Sequence, residues 1–206
     1  MEASRNTTEL DRMTGGGARK GMPCGAAVIA MAAALALTAG LMGPPRACAT
    51  SPEKDGKMVG KASPRFTAVD LDGKTRSFEE VKNGSHAVVV NFWGLRCSAC
   101  IQEMPYLDDI YRKFAKEGLF VFGVNVDGMD RDAIRKKMKQ MSLAPSYCIV
   151  EDPDMKLADL FNMRAAPLTY VIDAKGIIRF QHEGFEEGDE KELEKAVDSV
   201  LRGKAD

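Results

Sequence analysis

Ala87-Val88-Val89-Val90-Asn91-Phe92 runs through Trp93-Gly94-Leu95-Arg96 into Cys97-Ser98-Ala99-Cys100, and the fold is decided there. A continuous β-branched and aromatic run is the pattern of a strand covered on both faces, as in a central parallel sheet. Directly after the cysteines, Ile101, Met104, Leu107, Ile110, Tyr111 and Phe114 recur at helical spacing from Ser98 to Lys116, and Gly118 follows as a stop. Pro105 lies inside this segment, removes one backbone donor, and is expected to kink it. A buried strand therefore feeds a helix whose first turn carries C-x-x-C.

Outward from this point the pattern alternates. Upstream, residues 66–70 and 74–77 flank Asp72-Gly73, which predicts a hairpin because Asp-Gly tolerates the positive φ of a tight turn. One helical turn is expected over Phe78 to Val81. Downstream, Leu119 to Val126 predicts a buried strand, Arg131 to Met141 a basic amphipathic helix, Tyr147 to Val150 a strand and Met155 to Phe161 a short helix. Thr169 to Ile172 and Ile177 to Phe180 read as a hairpin turning at residues 173–176, and Asp189 to Leu201 as a final amphipathic helix. Alternation of this kind is that of α/β domains built from βαβ units.

The position of the cysteines has chemical consequences. Residues three apart on a helix share a face, and one turn rises about 5.4 Å. That is close to the Cα separation a disulfide prefers, so the pair can open and close without backbone rearrangement. A helix start also offers unpaired N–H groups and positive dipole charge, which favour a thiolate at Cys97. Cys97 is thus the expected nucleophile and Cys100 the resolving thiol. A zinc half-site or a static disulfide are the plain alternatives, but zinc needs further ligands, and His86, His182 and Cys148 are not in metal spacing.

The residues Pro64-x-Phe66-Thr67, Asp70-Leu71-Asp72-Gly73-Lys74, Val90-Asn91-Phe92-Trp93, the C-x-x-C, Glu103-Met104-Pro105 and Ala166-Pro167-Leu168-Thr169-Tyr170-Val171-Ile172-Asp173 together resemble the TlpA/ResA-like branch of the thioredoxin superfamily. The resemblance runs from Pro64 to the C-terminus. It implies a thioredoxin fold, a central mixed sheet flanked by helices, with an added N-terminal hairpin and a central strand–helix insertion. It also implies an extracytoplasmic thiol-disulfide oxidoreductase acting on protein thiols or disulfides, often a reductant in cytochrome c maturation, supplied by a membrane thiol-disulfide donor. By position, Pro167 matches the cis-proline beside the disulfide, and the Ala166 backbone the group that pairs with a substrate chain. Trp93 matches an aromatic packed beside the site, and Glu103 an acid one turn past Cys100 that exchanges a proton with the resolving thiol. Asn91 stands where cytoplasmic thioredoxins bury an acid. No cofactor or metal is implied. Two positions depart from the pattern: Arg96 replaces the usual aromatic before the first cysteine, and Ser98-Ala99 lacks the common proline. A cation at Arg96 favours the Cys97 thiolate, and a stabilised reduced form makes a pair more oxidising. A reductase is expected on the resemblance, with a disulfide-donating oxidase as the alternative on the same site.

The N-terminus carries no charge from Gly21 to Pro45, follows Arg19-Lys20, and ends in Ala47-Cys48-Ala49. This is a targeting segment, residues 1–49, which places the domain in the periplasm or otherwise outside the cytoplasm. Cleavage after Ala49 is favoured over a retained inner-membrane anchor, and acylation of Cys48 is weakened by Pro45-Arg46. The first dozen residues are poor signal sequence, which raises Met13 as an alternative start. Residues 50–63 read as a flexible linker and 64–206 as the thioredoxin-like domain.

The chain has 206 residues with 29 basic and 30 acidic side chains; five and three of these lie in 1–49, leaving 24 against 27. Such a balance lacks the basic footprint of a nucleic-acid binder. Five cysteines are too few for a disulfide-stapled scaffold. Cys148 reads as a buried, inert thiol, His86 and His182 as surface residues, and the seven methionines after Met42 as core filler. A Cu(I) chaperone could use the two thiolates, but the chain lacks a histidine near the site. A peroxidase of the related type would need Pro-x-x-x-Thr-x-x-Cys, which Gly94 and Arg96 do not supply.

Overall fold

The computed structural model describes residues 57–204; the expected targeting segment and the first part of the expected linker lie outside these. A seven-stranded sheet has the order β2-β1-β5-β4-β3-β6-β7. Its centre is β3 (Ala87–Trp93), β4 (Leu119–Asn125) and β5 (Cys148–Glu151), mutually parallel, while β6 (Leu168–Asp173) runs antiparallel beside β3 and β7 (Ile178–Glu183) antiparallel to β6 at the edge. The hairpin β1 (Thr67–Asp70) and β2 (Thr75–Ser77) joins at the other edge, β1 antiparallel to β5. The segment between β4 and β6 contains α3 (Arg131–Gln140), β5 and α4 (Lys156–Leu160), and its strand β5 is the one on which the hairpin is seated.

All seven residues of β3 are buried, because alternate side chains enter two separate cores. Ala87, Val89 and Trp93 pack with α2 (Ser98–Phe114), α3 and α5 (Glu190–Leu201). Val88, Val90 and Phe92 pack on the opposite face with Phe78 of α1 (Phe78–Gly84), Leu157 of α4 and the aromatic cluster of Phe66, Phe122, Phe161 and Tyr170. α2 is one 17-residue helix through Pro105, followed by a 3-10 turn at Ala115–Glu117.

Both hairpin turns use one device. Asp70 Oδ1 accepts from the N–H of Asp72 (3.0 Å) and Lys74 (2.9 Å), and Arg76 Nε donates to Oδ2 at 2.7 Å. Asp173 Oδ1 likewise accepts from Lys175 and Ile177, both at 2.9 Å, with Arg179 Nε on Oδ2 at 2.8 Å. Burial alone would raise both carboxyls, but these donors more than offset it and hold them below the usual carboxylate range. Of Asp72-Gly73, Gly73 alone takes positive φ, 81°; the Asp70 side chain organises the rest of the turn.

The expected domain start at Pro64 needs correction. Met58 is buried, its N–H donates to Gln181 Oε1 at 2.8 Å, and the N–H groups of Gly60 and Ser63 donate to the carbonyls of Ile178 and Gly176, both at 2.8 Å. Residues 58–63 are thus laid along β7. Their lack of an apolar period concealed this because the attachment is largely through backbone groups that every residue carries.

Candidate active site

The loop Gly94–Arg96 carries the chain from the end of β3 to α2, and Cys97 is the N-cap of that helix. Cys97 Sγ accepts from the Cys100 N–H at 3.1 Å, and Ile101 N–H donates to Cys97 O at 3.1 Å. The two cysteines form a disulfide with Cα atoms 5.2 Å apart. Cys100 is 1% exposed and packs in the core with Trp93 and Met104, whereas Cys97 is partly exposed. Of the two cysteines, Cys97 is therefore the accessible one, and a thiolate there would sit on a helix-start N–H with no acidic residue in the first turn.

Across the gap from β3, the Ala166–Pro167 bond is cis. Cys97 Sγ lies 3.5 Å from the Ala166 carbonyl oxygen, and Pro167 O accepts from Gly184 N–H at 2.8 Å. The half-exposed Ala166 backbone thus lines the accessible side of the disulfide.

Beneath α2 lies a buried polar group that the strand registers assemble. Asn91 of β3 is directly opposite Thr169 of β6. Asn91 Nδ2 donates to Glu103 Oε2 at 2.9 Å and to Thr169 Oγ1 at 2.8 Å, while Thr169 Oγ1 donates to Glu103 Oε1 at 2.9 Å. Glu103 is only 3% exposed. Its burial pushes the carboxyl above the usual glutamate range, and the Thr169 and Asn91 hydrogen bonds only partly pull it back. Asn91, read as the position where an acid is missing, is the residue that holds the buried Glu103 carboxyl.

The loop to Cys97 is fixed by a residue that sequence reasoning missed. Asp127 Oδ2 accepts from Leu95 N–H at 2.7 Å and from Asn125 Nδ2 at 2.8 Å, and Val126 N–H donates to Trp93 O at 3.0 Å. Asp127 Oδ1 also stands 3.2 Å from where a Cβ on Gly94 would lie, so Gly94 gives the carboxylate its room. The one hint in sequence was Asp127-Gly128 at a strand end, which reads simply as a turn.

Several expectations are refined. Trp93 is 1% exposed, so it supports the site from below and offers no surface to a substrate. With Tyr147 and Ile149 it fills a notch over Gly123, where a Cβ would lie 2.6 Å from Ile149 Cδ1, 2.8 Å from Tyr147 Cε2 and 3.4 Å from Trp93 Nε1. Trp93 Nε1 and Tyr147 Oη are the two buried side-chain polar atoms left without a hydrogen-bond partner among the described residues. Arg96 is exposed, so water screens its charge and weakens the effect expected of it on Cys97. Cys148 is half-buried, not buried, and lines an 800 Å³ cleft between the hairpin and α3; partial burial pushes its thiol up to about 11. His86 is exposed as expected, but His182 is partly buried, with Nε2 3.0 Å from Asp189 Oδ2.

Comparisons with known proteins agree with this geometry. The AhpC/TSA family model matches residues 59–181. The thiol-disulfide oxidoreductase ResA of Geobacillus kaustophilus is 30% identical over 127 residues, covering 62% of this chain and 70% of the relative. ResA of Bacillus cereus is 28% identical over 124 residues, covering 60% and 69%. Among solved structures, a putative thiol:disulfide interchange protein DsbE from Chlorobium tepidum superposes with a TM-score of 0.63 at 27% identity, covering 69% of this chain and 97% of that one. With its fold, its C-x-x-C disulfide at a helix start and these relatives, the chain belongs to the AhpC/TSA family and is a thiol-disulfide oxidoreductase of the ResA/DsbE type.

Proposed function

We propose that the protein reduces disulfides of other proteins outside the cytoplasm, with Cys97 as nucleophile, Cys100 as resolving thiol and Glu103 as proton acceptor. The Cys97 thiolate attacks a substrate disulfide, forming a mixed disulfide and releasing one substrate thiolate. Cys100 then gives its proton to Glu103 and attacks Cys97 Sγ. The Cys97–Cys100 bond forms, the bond to the substrate breaks, the second substrate sulfur leaves as a thiolate, and the enzyme dithiol has become a disulfide. An extended substrate chain pairs with the Ala166 backbone beside cis-Pro167.

The observation that carries this reading is the buried Glu103, anchored by Asn91 and Thr169 one helical turn from the inaccessible Cys100. It also bears on direction. A carboxylate in a low-dielectric site disfavours a neighbouring thiolate, and less thiolate stabilisation makes a dithiol more reducing. The exposed Arg96 does little to oppose it. The uncharged apolar stretch of residues 21–45 supports an extracytoplasmic location, by export or anchoring. The resemblance adds apocytochrome c as a substrate class and a membrane thiol-disulfide protein as electron donor.

Equilibration of the full-length protein against defined thiol buffers tests direction. A potential near the thioredoxin value of about -270 mV supports the reductase; one near about -120 mV makes the protein a disulfide donor.

A further inference from the structure

Glu103 cannot keep the proton it takes from Cys100, and with 3% of its surface exposed it has little direct access to water. The register of the sheet supplies a way out. Thr169, whose hydroxyl is bonded to Glu103, is opposite Asn91 on one side and opposite His182 of the edge strand β7 on the other. One transverse row therefore leads from the buried acid to the rim of the sheet. Between α2, α5 and β7 a narrow cavity of about 10 Å³ is lined by Glu103, Tyr106, Thr169, His182, Asp189 and Glu190, with apolar side chains closing its remaining walls. That is at the lower end of the roughly 10–15 Å³ that a cavity needs to admit one water molecule. At its outer end the His182 ring is held 3.0 Å from Asp189 Oδ2 and stacked parallel to Phe180, and both members of the pair are roughly one-third exposed.

We propose that the His182–Asp189 pair is the proton outlet of Glu103, joined to it by the cavity under α2. This rests on the proposed role of Glu103 and adds a route to it. The proton that Cys100 gives to Glu103 passes through the cavity to the His182 imidazole, which releases one to bulk water; the departing substrate thiolate takes its proton from solvent. Imidazole is suited to this because it both accepts and donates near neutral pH. The charged and titratable groups that share this cavity with His182 are Glu103 and Tyr106 from α2, Asp189 at the N-cap of α5 and Glu190 in its first turn. Asp189 is held below the usual carboxylate range first by the Glu186 N–H and also by His182, so it stays ionised opposite the ring. Glu190 is engaged by the Gly188 N–H at 2.7 Å. His182 is in these terms a positioning and relay residue, since it touches neither sulfur.

The test is single-turnover oxidation of the reduced full-length protein by saturating glutathione disulfide, followed across pH by the emission of its one tryptophan, Trp93, which packs in the core with Cys100. His182→Ala is expected to lower the plateau rate about tenfold or more at neutral pH, within the range of general acid–base effects. Added imidazole should restore it to within about threefold, while Glu103→Gln is slowed and not rescued. The reduction potential should be unchanged in His182→Ala, because a proton route alters rate and not equilibrium. Asp189→Asn keeps the ring and an acceptor for Glu186 N–H, and should slow the reaction about two- to fivefold, so the outcome does not hang on one variant. If Glu103→Gln is slow but His182→Ala and Asp189→Asn keep the wild-type rate and pH profile, the outlet is refuted and the role of Glu103 stands. If Glu103→Gln is not slowed, that role falls and the outlet with it. A His182→Ala defect that imidazole does not rescue and that comes with a shifted potential would overturn the outlet as a merely structural effect.

Discussion

Thr169→Val exchanges a hydroxyl for a methyl of nearly the same volume at a position 1% exposed, so its effect is electrostatic and leaves no cavity. Two hydrogen bonds disappear: the 2.9 Å donation to Glu103 Oε1 and the 2.8 Å bond accepted from Asn91 Nδ2, which keeps its bond to Glu103 Oε2. A hydrogen bond to a buried charged group contributes about 1.5–3 kcal/mol and one to a neutral group about 1 kcal/mol. The cost should therefore depend on the protonation of Glu103. In the wild type its native carboxyl titrates above the unfolded one. Below the unfolded value both states hold the proton and the group contributes nothing. As pH rises between the two values the unfolded chain loses its proton first, the native state binds more protons, and stability falls until the native group has ionised. Loss of the Thr169 donor removes a stabiliser of the ionised form, pushes the native carboxyl higher still and widens that window. The expected destabilisation is about 2 kcal/mol at acid pH, where both lost bonds join neutral groups, and about 2.5–4 kcal/mol once Glu103 is ionised, the latter roughly 5–16 °C in Tm for a domain of this size. Thermal unfolding of the wild type and variant across pH, followed by Trp93 emission, measures it. A loss that is flat in pH, or below about 0.5 kcal/mol throughout, would refute the placement of a strained carboxylate on this threonine.

Asp127→Ala should leave the Leu95 N–H and Asn125 amide without their acceptor and loosen the loop before Cys97; a stability loss of about 1–3 kcal/mol in denaturant unfolding and a slower, less pH-sensitive alkylation of Cys97 are expected. In the reduced protein, iodoacetamide at pH 7 should modify Cys97 well before Cys148, because a thiol pushed up to about 11 is almost wholly protonated there; mass mapping of the labelled cysteines checks this. Arg96→Ala should move the reduction potential by less than about 20 mV, since an exposed charge pair is worth at most about 1 kcal/mol and 30 mV corresponds to about 1.4 kcal/mol. A larger shift would show that Arg96 lies closer to the Cys97 sulfur in the reduced state.

What the sequence made legible was whatever is encoded in one contiguous stretch. The unbroken run at β3 had to be covered on both faces, and C-x-x-C directly after it had to fall on a helix start, so both could be read without knowing the rest of the fold. The helix spacing from Ile101 to Phe114 likewise named the side chains that now fill one core. Glu103 could be suspected from its place one turn past Cys100, but not its partners, since Asn91 and Thr169 meet only through a register pairing residues 78 positions apart. The same holds for His182, which looks like a surface histidine until Thr169 is found opposite it, and for Asp127, 32 residues from the amide it fixes. Residues 58–63 were misread for a different reason: composition reports what side chains prefer, and this segment is attached chiefly by its backbone. Neighbours in sequence could be read for local structure, whereas the chemistry of the site depends on neighbours across the sheet.

The division of labour between the two cysteines is tested most directly by trapping. Reduced full-length Cys100→Ala, mixed with a disulfide-bonded protein substrate, is expected to accumulate a mixed disulfide through Cys97, whereas Cys97→Ala should form none because Cys100 is only 1% exposed. Efficient capture by Cys97→Ala, or no capture by Cys100→Ala, would contradict the assignment of Cys97 as the nucleophile.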